Sequence, residues 1–230
     1  MTGSRESGPH DLVPRMKVLA AENEDVTEAD PPHPDWDDSY AGPPPPWDIG
    51  RPQPAFVRLA EAGTLTGALL DAGCGTGEHT ILAALHDARA VGTDVSPRAI
   101  EVARRKAALR GIGTSFQVLD ALHLDTLGET FDTVVDSGLF HVFDDDARTH
   151  YVTALQAALR PAGHLHLMCF SDRQPGDWGP RRVTEGELRD AFGSSWRIDS
   201  FAPDRFDINP GLGTPTAEAW LADVVRLAPR

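Results

Sequence analysis

The chain has 230 residues, 40% of them hydrophobic and 24% charged, enough for one good-sized domain with additional segments and for burial of roughly 70% of the unfolded surface. Lysine and arginine number 21 against 35 aspartates and glutamates, and the formal net charge of −14 argues against a nucleic-acid partner. No run of 18 apolar residues and no apolar signal-peptide core occur, and the two cysteines, Cys74 and Cys169, are too few for a disulfide framework or a cysteine-based zinc site, so a soluble cytoplasmic protein without membrane contact is expected.

Residues 1–48 carry eleven acids against three bases and nine of the nineteen prolines. Such composition cannot offset the entropy of ordering, and residues 1–33 read as an acidic, proline-rich mobile tail. Trp36, Tyr40 and Trp47 break that pattern, so residues 34–54 are expected to dock on the domain formed by residues 55–230. From residue 55 onward, strand-length apolar runs alternate with helix-period segments, which predicts an α/β fold with a parallel sheet covered on both faces. Strands are predicted over residues 68–72, 90–95, 114–118, 131–136 and 164–170. A glycine loop, residues 73–77, enters a helix over residues 78–87. Ser96 and Pro97 open and Gly111 closes a helix over residues 98–110, with Glu101 and Arg105 paired on its surface. A further helix over residues 145–159 is expected to begin on Asp144, Asp145 and Asp146, which favour a helix amino end, and to be stopped by Pro161 and Gly163. Thr184 and Glu187 form a capping box for a short helix that stops at Gly193. Residues 196–201 and 219–227 are the last strand candidates, the second ambiguous with a helix.

Leu70-Asp71-Ala72-Gly73-Cys74-Gly75-Thr76-Gly77 carries the strongest chemical signal. Glycines after a strand let the backbone approach a ligand closely, in the crevice where α/β sheets bind nucleotides. A dinucleotide fingerprint would need a third glycine where Glu78 stands, which weakens a hydride-transfer reading, and no Gly-Lys-Ser/Thr follows to make a phosphate loop. With Asp94 ending the second strand and Asp120 following the third, residues 65–170 resemble the class I S-adenosylmethionine-dependent methyltransferases. The resemblance implies a Rossmann-like, mostly parallel seven-stranded sheet with helices on both faces. It implies that Asp71, Ala72, Gly73, Cys74, Gly75 and Gly77 line the methionine end of S-adenosylmethionine. Asp94 then accepts the ribose hydroxyls, or else is an ordinary helix-capping acid, while Val95 packs on the adenine and Asp120 with Ala121 meets its amino edge. On that family's strand order the fourth strand separates Cys74 from Cys169, and no disulfide joins them.

Pro46-Trp47-Asp48-Ile49-Gly50-Arg51-Pro52-Gln53-Pro54 resembles the segment preceding the cofactor fold in thiol and halide methyltransferases, with thiopurine methyltransferase a more distant relative. This second resemblance implies that residues 34–54 form a lid, with Trp47 at the cofactor and Trp36 and Tyr40 at a small-molecule acceptor; the alternative is a hydrophobic staple for the tail. Asp136 and His141 follow the fourth strand beside the cofactor crevice. His141 is either the base for a hydroxyl acceptor or a histidine bonded to its own loop backbone. The long polar loop over residues 170–182 offers Asp172, Arg173, Trp178 and Arg181, of which Trp178 is the acceptor candidate. His79, His86, His164 and His166 lack carboxylate or cysteine partners at metal spacing, so no metal is expected. Methyl transfer to a small thiol-like acceptor is favoured. O- or N-methylation of an aromatic metabolite and cofactor binding without turnover remain open.

Overall fold

Short apolar runs ending in glycine or acid fold into one seven-stranded sheet. The computed structural model describes residues 36–209 and 215–228, so the expected tail over residues 1–33 lies outside the described residues. β1 (Ala68–Ala72), β2 (Arg89–Asp94), β3 (Ser115–Val118), β4 (Phe131–Ser137) and β5 (Leu159–Phe170) run parallel, while β7 (Thr216–Arg226) pairs antiparallel with both β5 and β6 (Trp196–Asp207). The helices are α1 (Pro54–Glu61), α2 (Glu78–Leu85), α3 (Pro97–Arg110), α4 (Asp145–Ala158) and α5 (Glu185–Phe192). In the sheet order β3-β2-β1-β4-β5-β7-β6 the chain leaves β1 toward β3 and returns on the other side of β1 as β4, so the switch point lies between β1 and β4. In sheets of this topology ligands bind at that point, outside the carboxyl ends of the strands.

Neighbouring residues on the central strands face opposite layers, which is why these strands read as continuous apolar runs. Leu70, Val134, Leu165 and Leu167 pack with Phe131, Tyr151 and Leu155 in one layer; Leu69, Val135 and Met168 pack with Phe56 and Leu82 in the other. The capping signals act as predicted. Ser96 Oγ accepts the Ala99 N–H at 3.1 Å, and Gly111 ends α3 at φ +66°. Asp144 caps α4, and Thr184 and Glu187 make the reciprocal capping box of α5.

Three of the differences in element boundaries have an identifiable physical cause. α4 ends at Ala158, and Leu159 already pairs with Phe131; Pro161, Ala162 and Gly163 then bulge out before the ladder resumes at Thr133 and His164. Ala162 sits there at φ +64°, and Pro161 has no N–H to give to a ladder, so the stop signals lie inside a strand instead of behind a helix. β6 runs on to Asp207 because Pro203 is tolerated on the edge strand of the sheet. The ambiguous residues 219–227 form β7, fixed as a strand by partners on both sides. Cys74 and Cys169 lie on either side of β4 in the strand order and are both free and buried. Among the described residues no helix is long and apolar enough to cross a membrane.

One packing constraint beneath the crevice is testable. A Cβ added at Gly92 would lie 2.6 Å from Thr80 Oγ1, 2.7 Å from the Phe116 ring and 2.9 Å from Cys74 Sγ. We expect Gly92→Ala to destabilise the protein by about 1–3 kcal/mol through overpacking, read as a lower urea midpoint with an unchanged slope; an unchanged midpoint would show that this layer yields freely.

Candidate active site

At the end of β1 the backbone turns through Gly73 (φ +67°), Gly75 (φ +51°) and Gly77 (φ +85°), a left-handed series that side chains rarely adopt. Gly77 is also hemmed in: a Cβ there would come within 2.9 Å of Ala103 and the Phe116 ring. The loop is tied to β2 by Cys74 N–H donating to Thr93 O at 2.8 Å and by Gly75 N–H donating to Asp94 Oδ2 at 2.8 Å. The other oxygen of Asp94 accepts the Ser96 N–H at 2.9 Å, and burial raises the Asp94 pKa. Asp71 Oδ2 accepts from Thr80 Oγ1 at 2.6 Å, but its Oδ1 is buried without a partner. Burial pushes the Asp71 carboxyl up to about 7.

Residues 36–53 cross this loop. Asp37 Oδ1 accepts from Ser96 Oγ at 2.6 Å and from Arg98 N–H at 2.9 Å, and Oδ2 pairs with the Arg98 guanidinium. Tyr40 Oη accepts the Trp47 indole N–H at 3.1 Å and stands 3.0 Å from where a Gly75 Cβ would be. Trp36 meets Trp47 edge to face at 5.9 Å. Lys106 Nζ donates to Thr76 Oγ1 at 2.6 Å and pairs with Glu78 at 2.9 Å. Farther along, Gln53 exchanges two hydrogen bonds, 2.9 and 2.8 Å, with the backbone of Asp207, and its own N–H donates to His79 Nε2 at 3.0 Å. Asn209 donates to the carbonyls of Pro45, Pro46 and Asp48. The segment is thereby strapped at both ends across the glycine loop, one end on α3 and the other on β6.

The sequence-predicted residues divide into those at the crevice and those elsewhere. Val95 follows Asp94 and is 41% exposed, and the ends of β2 and β3 are joined by Leu119 N–H donating to Asp94 O at 3.0 Å. Asp120 accepts the Leu122 N–H at 2.9 Å next to the buried Ala121. Asp136, expected at the cofactor, is engaged by donors of the protein itself. It accepts from Leu139 N–H at 2.8 Å, Phe140 N–H at 3.0 Å and Tyr151 Oη at 2.9 Å, so both oxygens are used in shaping the turn after β4. Burial also holds this carboxyl up, to about 7.

His141 bonds to β5 and not to the backbone of its own loop. Its Nδ1 accepts the Phe170 N–H at 2.9 Å, which leaves the proton of the neutral ring on Nε2, and the ring is wedged between Phe170 and Phe206. Burial, reinforced by the charges of Arg182 and Arg148, pushes its pKa down to about 3. Trp178 packs on Phe170 at 5.9 Å under Arg182, a cluster distinct from the Trp36, Tyr40 and Trp47 group. His164 and His166 do have a carboxylate neighbour. β7 brings Asp223 Oδ1 to 2.9 Å and 3.6 Å from their Nδ1 atoms, in a cleft of about 410 Å³ lined also by Thr64, Asp132 and Arg160. No group of three metal-ligating side chains is arranged to hold an ion among the described residues.

Sequence reasoning missed Asp37, Gln53, Lys106 and Asn209, whose partners are far away in the chain. Only Gln53 lay within a motif singled out in advance.

The chain was also compared with known proteins. A family described as a methyltransferase domain matches residues 69–163. A 2-heptyl-1-hydroxyquinolin-4(1H)-one methyltransferase of Mycobacteroides abscessus is 35% identical over 72% of this chain and 74% of its own length. A probable thiol methyltransferase 2 of Arabidopsis thaliana is 29% identical over 66% of this chain and 68% of its own. A solved structure described under conversion of a disulfide bond into a thioacetal group during echinomycin biosynthesis is 39% identical, with a TM-score of 0.77 over 84% of this chain and 91% of that one.

The His141 geometry can be checked directly. We expect nitrogen NMR to show a neutral ring with its proton on Nε2 and no titration between pH 5 and 8; a midpoint above pH 6 would contradict the buried acceptor role of Nδ1.

Proposed function

The chain belongs to the class I S-adenosylmethionine-dependent methyltransferases and methylates a small molecule, and we propose that the acceptor atom is a sulfur that needs no enzymic base. The observation that carries this reading is the hydrogen bond from Phe170 N–H to His141 Nδ1. An imidazole already accepting a backbone bond, with its pKa held near 3, takes no proton at neutral pH. A phenol, with a pKa near 10, would then have to react in a form scarcely present at neutral pH. A thiol near 8.5 ionises readily, and a thioether or disulfide sulfur carries no proton to lose. Two relatives support a sulfur acceptor, one described as a probable thiol methyltransferase and the other under conversion of a disulfide bond into a thioacetal group. A second reading, favoured by the hydroxyquinolone methyltransferase, is an acidic hydroxyl on a ring nitrogen, which also dispenses with a base.

The residues fit the cofactor on the structure's own terms. The orphaned Asp71 Oδ1 suits the ammonium of the methionine end, the bare glycine loop admits the chain of the cofactor, and Asp94 offers acceptor capacity to the ribose hydroxyls at the crevice lip. On this reading Val95, after β2, and Asp120, after β3, would meet the adenine. When bound, S-adenosylmethionine supplies a methyl group on a sulfonium centre, ready for in-line displacement. The protein's part is positioning and exclusion of water, for which Tyr40 and Trp47 lie across the loop. Aromatic faces also favour a sulfonium charge, by about 0.5–2 kcal/mol.

Two measurements test the reading. In an acceptor screen followed by S-adenosylhomocysteine release, we expect kcat/KM for thiols to exceed that for simple phenols by about a hundredfold, and His141→Asn to leave the pH dependence set by the acceptor's own ionisation. Phenol preference with a pH profile lost in His141→Asn would return His141 to the role of base. The second concerns Asp71. Its carboxyl, raised to about 7, is largely neutral at pH 6, and an ammonium beside Oδ1 favours the ionised form. Cofactor affinity should therefore rise between pH 6 and 8, with proton release on binding visible as buffer-dependent calorimetric heats. Flat affinity and no proton release would remove Asp71 from the ammonium.

A further inference from the structure

We infer that Asp37 is a positioning residue for methyl transfer, holding the N-terminal segment closed on the cofactor carboxylate Asp94 through Ser96; the inference rests on the cofactor role proposed for Asp94. The contacts run in a closed circuit around the crevice lip. Asp37 Oδ1 accepts from Ser96 Oγ at 2.6 Å, Ser96 N–H donates to Asp94 Oδ1 at 2.9 Å, and Asp94 Oδ2 accepts the Gly75 N–H at 2.8 Å. Above Gly75 stands Tyr40 Oη, which accepts from the Trp47 indole, and Trp47 meets Trp36, the neighbour of Asp37. Tyr40 N–H donates back to Asp37 O at 3.1 Å, so fixing Asp37 also fixes Tyr40 over the loop.

Packing alone does not account for this anchor. The turn over Asp38–Tyr40 buries none of its residues. What holds it is a carboxylate at the amino end of α3, where backbone N–H groups and the helix dipole favour negative charge and Arg98 adds a cation. Ser96 has no measurable exposure and serves three partners: it caps α3 through Ala99 N–H, donates its own N–H to Asp94, and donates its hydroxyl to Asp37. Releasing Asp37 frees a hydroxyl beside the carboxylate that would grip the ribose and lets Tyr40 leave Gly75. The side-chain hydrogen bonds of Asp37 go to Ser96 and Arg98, and its charge also helps raise the Asp94 pKa. Its geometric hold on the site runs through Ser96 and Tyr40.

A double-mutant cycle on S-adenosylhomocysteine affinity, with the full chain and isothermal calorimetry, tests this coupling. We expect Asp37→Ala to weaken binding at least threefold in the wild-type background and less than threefold in Asp94→Ala, because the ribose grip it supports is already gone. In turnover with saturating acceptor, the KM for S-adenosylmethionine should rise by a similar factor while kcat at saturation changes less than threefold. Asp37→Asn keeps the shape without the charge and serves the same cycle should the alanine variant not fold. A loss in Asp94→Ala with none in Asp37→Ala overturns the inference alone, and so does an equal loss in both backgrounds or a fall in kcat at constant KM. Unchanged affinity in Asp94→Ala by itself overturns the cofactor reading of Asp94, and the inference with it.

Discussion

The site hangs on one buried carboxylate that bridges two loops. Asp94 closes β2 and takes an N–H from each side, Gly75 from the glycine loop and Ser96 from the start of α3. The bridge carries the connection between the two turns past the end of the strand pairing, where Ala72 pairs with Thr93 and Cys74 N–H reaches Thr93 O. Hydrogen bonds to a charged group contribute about 1.5–3 kcal/mol each, and burying the carboxylate costs a comparable amount, so the bridge adds little net stability. Its value is geometric: it fixes the distance between the two loops that must share one ligand.

Two other acids show how position along the sheet divides structural from chemical work. Asp71 and Asp136 end neighbouring strands and are both buried, both with pKa values raised to about 7. Asp136 is ringed by Leu139 N–H, Phe140 N–H and Tyr151 Oη, and its bonds define the short turn from which Leu139 leans over Gly73. Asp71 has a single donor, Thr80, and a bare oxygen under the glycine loop. An unpaired buried acceptor costs about 1–3 kcal/mol, which selection tolerates where a ligand group completes the bond.

What the sequence disclosed followed from the range of the interactions. Ser96, Pro97 and Gly111 act within one helix, and Thr184 and Glu187 within one turn, so their spacing alone defined the elements. The glycines and the three acids stood at strand ends and were legible by register. Gln53 with Asp207, Asn209 with Pro45 and Asp37 with Ser96 join residues 154, 164 and 59 positions apart, and no local pattern marks them. His141 was ambiguous for the same reason. Its Nδ1 partner is the Phe170 N–H, 29 residues away, which no spacing rule foretells. The bulge at Pro161 to Gly163 misled because the same residues that stop a helix also interrupt a ladder.

The N-terminal segment is attached chiefly by polar contacts. Its anchors are hydrogen bonds and ion pairs, through Asp37, Gln53 and Asn209, and Trp47 remains 46% exposed. Each such bond contributes about 0.5–1.5 kcal/mol net, because water replaces it on release. A segment held by apolar burial at about 25 cal/mol per Å² would come away only with part of the core. Polar strapping instead sets the cost of local detachment below that of global unfolding. The chain beyond the strap is held differently: Phe56 of α1 is fully buried against the sheet, and the change from polar to apolar attachment falls at Gln53, whose two bonds to Asp207 join the strap to β6.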